Sequence, residues 1–475
     1  MNLVLASLIV YAALAQASPH PPSMDANGGS SVHLPMIRRN IQWTPERVGA
    51  YADHARAKYG YPTVASRPRL ARNTAGVAIM NEGFDASYVA QATVGTPGKQ
   101  FLVVLDTGSS DFWLPASSCQ GCQTSAPTFD SSASSSFSTP SGSISKGEIT
   151  IPYGSGQVSG TLGTDSVELA GFTVTDQTFL VADQISQDFF SGEADVSGIM
   201  GLAFESISST KATPWWQTLV NNDLLDQPMM SFWLARASRT SSDQEQPGGV
   251  FTLGTANTSL FSGDIEYINQ PSGLSASWWL LEMSKLTVLG QTVQISTGDS
   301  AIAAIDTGTT LIGGPSQDVT NFWSTVPGSQ SLGGSNQGFW SYPCSTKLNA
   351  TLNFGGRDWP ISEEDMQFQQ LDQKGETCQG ALFDISAGSN LPSGSGNPAW
   401  IVGDTFLKNV YTVFRASNPP AVGFAELSTT AGGSGIAPGS APAEIQSAGF
   451  RSARLSTGAL ASALFVLVIR MFSLL

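Results

Sequence analysis

Two stretches of the chain repeat one pattern of apolar and polar positions. Residues 101–105 are all apolar and run into an Asp-Thr-Gly triplet that begins at Asp106. Residues 301–305 repeat this pattern and run into a second Asp-Thr-Gly triplet that begins at Asp306. Short apolar runs that end in turn residues are typical of buried β-strands. The pattern therefore predicts two buried strands, each of which ends at an aspartate.

A second apolar element lies at a matching distance from each aspartate. One such element ends at Gly201, 95 residues after Asp106, and the other ends at Gly403, 97 residues after Asp306. A single Asp-Thr-Gly triplet is usually an ordinary turn, but two triplets with equivalent partners indicate an internal duplication. We therefore predict an all-β, bilobal fold in which two lobes, related by a pseudo-two-fold axis, meet at a central cleft.

The stretches around the repeats contain few helical signals. Residues 148–169 are typical of strand, turn and strand, which predicts a β-hairpin with a glycine-rich, mobile tip. In the body of the chain we expect few helices, with candidates at residues 216–222 and 317–324. The 49 glycines and the charged fraction of 12% agree with a β-rich protein that has many turns.

Charge is distributed unevenly along the chain. The formal net charge is −15, but residues 18–72 contain eight Lys/Arg and three Asp/Glu, a net charge of +5. Residues 73–475 therefore carry a net charge of −20. A body of that charge repels phosphate, so we expect no nucleic-acid partner.

The three histidines, His20, His33 and His54, all lie within the basic segment 18–72. If that segment is removed, the body contains no histidine. This excludes a Ser-His or Cys-His catalytic pair and any His-ligated zinc site in the body. General acid-base chemistry would then fall to carboxylates, Tyr or Lys, and we expect neither a metal nor a cofactor.

Both ends of the chain are typical of targeting segments. Residues 1–17 are apolar up to an Ala-Gln-Ala site, which predicts a cleaved signal peptide in preference to a membrane anchor. Residues 429–450 form a flexible Gly/Ala/Ser/Pro tether, and residues 451–475 end in an apolar tail. A small triplet, a spacer and such a tail favour a GPI-attachment signal. A retained membrane helix is a rival reading, and an unprocessed soluble end is another.

Four cysteines in a chain with a signal peptide suggest two disulfides. Cys119 and Cys122 can close a tight loop, and Cys344 and Cys378 would then bridge 34 residues. The alternative is a redox or metal motif at the Cys-x-x-C pair. Two sequons, at Asn257 and Asn349, are candidate glycosylation sites.

Two nearby carboxylates that share one proton can hydrolyse a peptide bond without a metal or a covalent intermediate. The ionised carboxylate takes a proton from water, and the protonated one donates to the substrate carbonyl. We therefore take Asp106 and Asp306 as the candidate catalytic pair. The residues that would orient the pair and let the two turns approach are Thr107, Gly108, Ser109, Thr307, Gly308 and Thr309.

The hairpin tip supplies a candidate lid. Tyr153, with Gly154 and Ser155 at the tip, could close over a substrate and exclude water. Trp113, seven residues after Asp106, could donate a hydrogen bond to the tyrosine. The alternative for both aromatic residues is ordinary core packing.

These motifs together resemble the pepsin-like aspartic proteases, peptidase family A1, over about residues 85–426. The resemblance rests on both Asp-Thr-Gly triplets, on Tyr153 with Gly154, on residues 198–202 and on residues 401–407. It implies the pair Asp106 and Asp306, a flap that bears Tyr153, sensitivity to pepstatin, and the pairings Cys119–Cys122 and Cys344–Cys378. It also implies polypeptide substrates, and we expect a monomer.

The resemblance further implies a domain order. Residues 18–72 would be an inhibitory propeptide whose positive groups occupy the acidic cleft, with a cleavage site near residues 69–72. Residues 73–265 and 266–428 would be the N-terminal and C-terminal lobes. The tail is similar to that of fungal, yapsin-like members, which predicts a secretory protein held at the plasma membrane or cell wall by a lipid anchor, or released. The alternative function is a catalytically silent relative that acts as a binding or cell-wall protein.

Overall fold

A computed structural model describes residues 32–41, 45–61, 84–122, 126–140, 147–153, 156–186, 196–236, 245–387 and 397–433. The predicted signal peptide, the cleavage site near residues 69–72, Gly154, Ser155 and the predicted C-terminal signal lie outside these residues. Within the described ranges, no helix is long and apolar enough to cross a membrane.

The first half of the described chain contains two α-helices and eleven strands. In chain order they are β1 (Val32–Ile41), α1 (Pro45–Lys58), β2 (Phe84–Val94), β3 (Lys99–Asp106), β4 (Phe112–Gln120), β5 (Ile149–Tyr153), β6 (Gly156–Leu169), β7 (Phe172–Ile185), β8 (Val196–Gly201), α2 (Trp215–Asn221), β9 (Met229–Leu234), β10 (Glu245–Leu253) and β11 (Phe261–Asn269).

The second half contains shorter strands and three helices. They are β12 (Leu280–Glu282), β13 (Lys285–Val288), β14 (Gln291–Val293), β15 (Ile302–Ile305), β16 (Ile312–Gly314), α3 (Ser316–Ser324), β17 (Gln330–Ser331), β18 (Trp340–Pro343), β19 (Ala350–Asn353), β20 (Trp359–Ile361), α4 (Glu363–Met366), β21 (Gln367–Gln370), β22 (Thr377–Gly380), β23 (Leu382–Asp384), β24 (Trp400–Val402), α5 (Asp404–Leu407), β25 (Val410–Arg415) and β26 (Ala421–Leu427).

Four sheets make up the described fold, which confirms the predicted all-β class. The largest has thirteen strands in the order β11-β26-β25-β9-β10-β1-β2-β3-β8-β4-β7-β6-β5. A second sheet has the order β12-β15-β24-β16-β23, and two four-stranded sheets have the orders β14-β13-β19-β20 and β17-β18-β22-β21. Helices α2 and α3 lie where the sequence predicts them, and β5 and β6 pair as the predicted hairpin.

The predicted duplication is visible in the strand pairing. β3 runs parallel to β8, while β4 runs antiparallel to β8 and parallel to β7. β15 runs parallel to β24 in the same way, while β16 runs antiparallel to β24 and parallel to β23. The two halves therefore contain one strand arrangement twice, as the predicted bilobal pepsin-like fold requires. The predicted lobe boundary after residue 265 falls within β11 and stays a prediction.

Apolar runs become strands that are buried on both faces. All six residues of β8 are buried, and so are residues 103–105 of β3. Strands that are buried on both faces have continuous apolar sequences, because neither face meets water. This explains why the segments before the two aspartates are entirely apolar.

The basic segment 18–72 contributes two elements to this fold. β1 lies between β10 and β2 in the large sheet. Val48, Ala52, Ala55 and Tyr59 recur at helical spacing and pack into one cluster with residues of the second half. This apolar stripe is the reason that residues 45–58 form a helix with a fixed orientation.

Candidate active site

The two aspartates occupy equivalent places at the ends of β3 and β15. Asp106 is the last residue of β3, and its carbonyl accepts a hydrogen bond from Leu202 N at 2.7 Å. Asp306 directly follows β15, and its amide donates to Val402 O at 3.0 Å. Each aspartate is therefore fixed by the end of the neighbouring parallel strand, β8 or β24.

Equivalent donors orient the two carboxylates. In each repeat Oδ1 accepts from the backbone amide two residues later, and Oδ2 accepts from the hydroxyl three residues later. For Asp106 the distances are 2.9 Å to Gly108 N and 2.5 Å to Ser109 Oγ, and for Asp306 they are 2.9 Å to Gly308 N and 2.5 Å to Thr309 Oγ1. Hydrogen bonds of this kind favour the ionised form of a carboxyl group and fix its plane.

Two threonines cross-link the halves beneath the carboxylates. Thr107 N donates to Thr307 Oγ1 at 3.1 Å, and Thr307 N donates to Thr107 Oγ1 at 2.9 Å. Each hydroxyl also donates to the opposite strand, Thr107 to Ile305 O at 2.9 Å and Thr307 to Leu105 O at 2.7 Å. Both threonines are fully buried, so these bonds set the separation of the two turns.

The glycines of the triplets allow the turns to approach. A Cβ at Gly308 would overlap the Asp106 carboxylate, and a Cβ at Gly108 would overlap the Asp306 carboxylate. Only a residue without a side chain fits at either position. The two carboxyl groups therefore belong to one site in which a single proton can be shared.

A lysine of the basic segment lies between the carboxylates. Lys58 Nζ is 2.7 Å from Asp106 Oδ1 and 3.0 and 2.8 Å from the two oxygens of Asp306. The hydroxyl of Tyr59 donates to Asp306 Oδ2 at 2.9 Å. The end of α1 therefore occupies the place where a substrate would have to meet the carboxylates.

The pKa values follow from burial and from this lysine. Burial raises the pKa of Asp106 above its ordinary value, although Lys58 acts in the opposite direction. Burial also acts to raise the pKa of Asp306, but Lys58 and Thr309 outweigh it and lower that pKa to about 2. Burial would lower the pKa of Lys58, yet the two carboxylates outweigh it and raise that pKa. The lysine is therefore charged in this site.

The candidate lid residues lie together. Trp113 Nε1 donates to the hydroxyl of Tyr153 at 3.0 Å, and both side chains are buried. Burial raises the pKa of Tyr153, with the charges of Asp111 and Asp106 acting in the same direction. Tyr153 therefore stays a neutral hydroxyl near the carboxylates.

Both predicted disulfide pairings are present in the structure. Cys119 is bonded to Cys122 and Cys344 to Cys378, and the described residues contain no free cysteine. The first bond joins two residues three positions apart at the end of β4, and the second links β22 to the residue that follows β18. The bonded pair has no free thiolate for a metal, so the metal alternative does not fit this pairing, while the redox alternative at the Cys-x-x-C pair stays a prediction.

The two sequons differ in exposure. Asn349 is exposed, while Asn257 is partly buried and its Oδ1 accepts from Ser259 N at 3.1 Å and from Ser259 Oγ at 2.7 Å. Among the described residues, no group of three or more His, Cys, Asp and Glu is placed to hold a metal ion.

Sequence reasoning missed four residues around the site, and Tyr59, whose hydroxyl donates to Asp306, is one of them. Asp111 is buried and accepts from Ser208 Oγ, Ser209 N and both donors of Thr210 at 2.6–2.9 Å, so it anchors the loop after β8. The indole of Trp278 donates to Gly108 O at 3.2 Å from the other half of the chain. A lone acid directly before an apolar strand is the signal that could have identified Asp111.

Lys58 is the fourth missed residue. The charge of residues 18–72 predicts a basic segment over the cleft but does not say which of its eight cations meets the carboxylates. The apolar spacing of Val48, Ala52, Ala55 and Tyr59 could have predicted the helix, and Lys58 is the last residue of that helix.

Comparisons with known proteins agree with this geometry. The sequence model of the family described as eukaryotic aspartyl protease matches residues 87–427. Major aspartyl peptidase 1 of Cryptococcus neoformans var. grubii is 41% identical over 385 residues, which are 79% of this chain and 75% of that protein. Cathepsin D of Gallus gallus is 32% identical, with 73% of this chain and 82% of that protein covered. Pepsin A of Sus scrofa is 31% identical, with coverage of 70% and 80%.

The family match spans both Asp-Thr-Gly triplets and the strands that carry them. The chain therefore belongs to the eukaryotic aspartyl protease family, in its pepsin-like branch, and is an aspartic endopeptidase.

Proposed function

We propose that the chain cuts polypeptide substrates at acidic pH with a water molecule activated by Asp106 and Asp306. The observation that carries this proposal is the pair of buried carboxylates, oriented by equivalent donors and close enough to share one proton. Two like charges at this separation do not ionise together easily, so the pair keeps one proton over a range of pH.

The chemistry follows from that shared proton. The ionised carboxylate accepts a proton from the attacking water, and the protonated carboxyl donates to the carbonyl oxygen of the scissile bond. Ser109 and Thr309 hold the outer oxygens, so the two groups face the substrate without reorganisation. A pepstatin-type inhibitor would occupy the same place.

Tyr153 acts as the lid over this pair. Its hydrogen bond to Trp113 orients the ring at the end of β5, and the hairpin continues into β6. Closure of the hairpin over a bound peptide would exclude bulk water from the reacting groups.

The full-length chain is a zymogen. Lys58 contacts both carboxylates, and α1 fills the space in front of them, so residues 18–72 act as an inhibitory propeptide. Protonation of the carboxylates at low pH weakens the ion pairs that hold Lys58. Cleavage near residues 69–72 would then make release permanent.

We place the protein in the secretory pathway and at the cell surface. Support comes from the apolar run at residues 1–17, the two disulfides and the apolar tail of residues 451–475. Replacement of that tail by a lipid anchor would hold the enzyme at the plasma membrane or cell wall as a monomer, with glycans at Asn257 and Asn349.

One assay tests the catalytic proposal. The purified full-length chain is first held at about pH 2, where Asp306 loses the charge that holds Lys58, and is then brought to about pH 4, incubated with a denatured protein, and sampled with and without pepstatin. We expect the denatured protein to be cut and pepstatin to stop the cleavage. Binding of the substrate or of pepstatin without cleavage would show instead a catalytically silent relative.

A further inference from the structure

Helix α1 buries an arginine in the body as well as placing Lys58 on the carboxylates. Arg56 is 1% exposed, although a guanidinium is charged at every working pH. Its Nη1 forms an ion pair with Asp53 of the same helix at 2.9 Å. Its Nε donates to Ile385 O at 3.0 Å, and its Nη2 donates to Asp384 O at 2.8 Å and to Gln337 O at 3.2 Å. Three backbone carbonyls of the C-terminal half therefore converge on one guanidinium.

An aromatic ring and a glycine complete this arrangement. The Cζ atom of Arg56 lies 5.6 Å from the ring centroid of Phe383, which is within the range of a cation–π contact. Gly338 has a φ of +93°, and a Cβ there would lie 2.6 Å from Arg56 Nη2. We name the three carbonyls of residues 337, 384 and 385, the Phe383 ring and Gly338 the arginine cradle.

The segments of the arginine cradle are joined to one another by hydrogen bonds within the body. Asp384 N donates to Gly338 O at 2.8 Å, which ties the two segments of the cradle together. Ile385 N donates to Gly314 O at 3.0 Å, and the Ser316 hydroxyl donates to the Asp384 carboxylate at 2.9 Å. None of these bonds involves a residue of the segment 18–72, so we expect the cradle to persist when that segment leaves, with its three carbonyls no longer accepting from Arg56.

We propose that, in the enzyme freed of residues 18–72, the arginine cradle is a substrate subsite that takes an arginine side chain. The proposal rests on the proposed function, because it requires a peptide to enter the cleft that α1 vacates. Arg56 is two residues from Lys58 on one helix, and a helix rises only ~1.5 Å per residue. We therefore expect the subsite within about four residues of the scissile bond of an extended peptide, which advances ~3.3 Å per residue.

The shape of the cradle favours arginine over lysine. A planar guanidinium can donate to separate carbonyls from Nε and Nη2 and can stack on a ring, whereas an ammonium is a compact point charge. Carbonyl oxygens also keep their partial charge in acid, where carboxylates become neutral. The cradle can therefore recognise a cation under the conditions in which the enzyme is expected to act.

An arginine scan tests the proposal in the processed enzyme. A neutral peptide that is cut at one bond serves as the parent, and arginine, citrulline or lysine replaces each of the four residues on either side of that bond. We expect arginine to raise kcat/KM about tenfold or more over citrulline at one position, since it adds charged hydrogen bonds. Lysine should give a smaller gain. Equal values for arginine and citrulline at all positions would show that the cradle only attaches the propeptide.

Cleavage of the neutral parent, and its loss with pepstatin, reports the proposed function separately from the arginine preference. Gly338→Ala should abolish the preference for arginine over citrulline in kcat/KM, because the added methyl group fills the cradle. Gly355→Ala is the matched control, since Gly355 has a φ of +99° with nothing within 4 Å of an added Cβ. A full arginine preference in Gly338→Ala would overturn the proposal. If that variant fails to fold, the comparison of arginine with citrulline peptides in the unchanged enzyme still shows whether an arginine subsite exists.

Discussion

Lys58 Nζ lies 2.8 Å from Asp306 Oδ2, and the residues of this ion pair are 248 positions apart in the sequence. Both side chains are almost completely buried, so the attraction is screened little by solvent. The ion pair couples attachment of residues 18–72 to the ionisation of the same carboxylate that the proposed chemistry uses. We therefore expect attachment and catalysis to be controlled by one titrating pair.

Replacement of Lys58 should weaken latency. In Lys58→Met the full-length chain loses its three charged hydrogen bonds to Asp106 and Asp306, and the two buried carboxylates lose their counter-charge. We expect self-cleavage to begin at a higher pH than in the unchanged chain, measured as conversion to the shorter form over a pH series. The control is Lys285→Met, which removes an exposed ion pair with Asp358. Equal latency of Lys58→Met and the unchanged chain at every pH would contradict the account.

The pH dependence of attachment should come mainly from Asp306. The pKa of Asp306 is lowered from 3.8 to about 2. The ionised Asp306 therefore stabilises the attached segment fully above an ordinary carboxyl pKa, and this stabilisation is lost as the pH falls to about 2. The pKa of Asp106 is raised, so that group does not add stability of this acid-sensitive kind.

Asparagine variants separate these two contributions. Asp306→Asn and Asp106→Asn should both be inactive, which allows amide hydrogen exchange of α1 to be followed without self-cleavage. We expect Asp306→Asn to reduce protection at neutral pH and to flatten its change in acid, while Asp106→Asn keeps an acid-induced loss. The reverse pattern would show that Asp106, and not Asp306, carries the acid response.

Loss of the Thr309 hydroxyl should shift the activity profile. That hydroxyl favours the ionised form of Asp306, so Thr309→Val should raise the pKa of the carboxyl group. On acidification the carboxylate of Asp306 is then protonated at a higher pH. The acid limb of the pH profile of kcat/KM therefore moves to higher pH. We also expect kcat to fall roughly tenfold. Thr309→Ser keeps the donor and should keep the profile; an unchanged limb in Thr309→Val would be evidence against the orienting role.

The longer disulfide should matter more for stability than the shorter one. Cys344 and Cys378 are 34 positions apart in the sequence, and Cys119 and Cys122 only three. In the chain-entropy description the longer loop is worth roughly 3–4 kcal/mol of unfolding free energy, and a very short loop is worth less. Urea unfolding of the two double Cys→Ser variants measures this, and a larger loss for the Cys119/Cys122 variant would contradict the loop-length argument.

Much of the site could be predicted because its information is local. The spacing within each Asp-Thr-Gly triplet places the amide of residue i+2 and the hydroxyl of residue i+3 on the carboxylate of residue i, and the structure shows these bonds at Asp106 and Asp306. The duplication also predicts that the two triplets meet, and Thr107 and Thr307 do so.

The remaining contacts could not be predicted because they join distant segments through side chains with no local signature. Lys58 and Arg56 are two of eight cations in residues 18–72, and their partners are set by how α1 packs on the second half. Trp278 reaches Gly108 across 170 positions, and Asp111 binds a loop about one hundred residues away. Only the folded chain shows which of these polar groups are buried and paired.

The central claim is that Asp106 and Asp306 form one catalytic pair. Its most direct test is kcat/KM of the processed enzyme, and of Asp106→Asn and Asp306→Asn variants processed by an added protease, on one neutral peptide at about pH 4. We expect each single substitution to lower kcat/KM by at least roughly a thousandfold, and the double variant to be hardly worse, because the residues act as a unit. Near-normal hydrolysis by either single variant, with pepstatin binding retained, would contradict this claim.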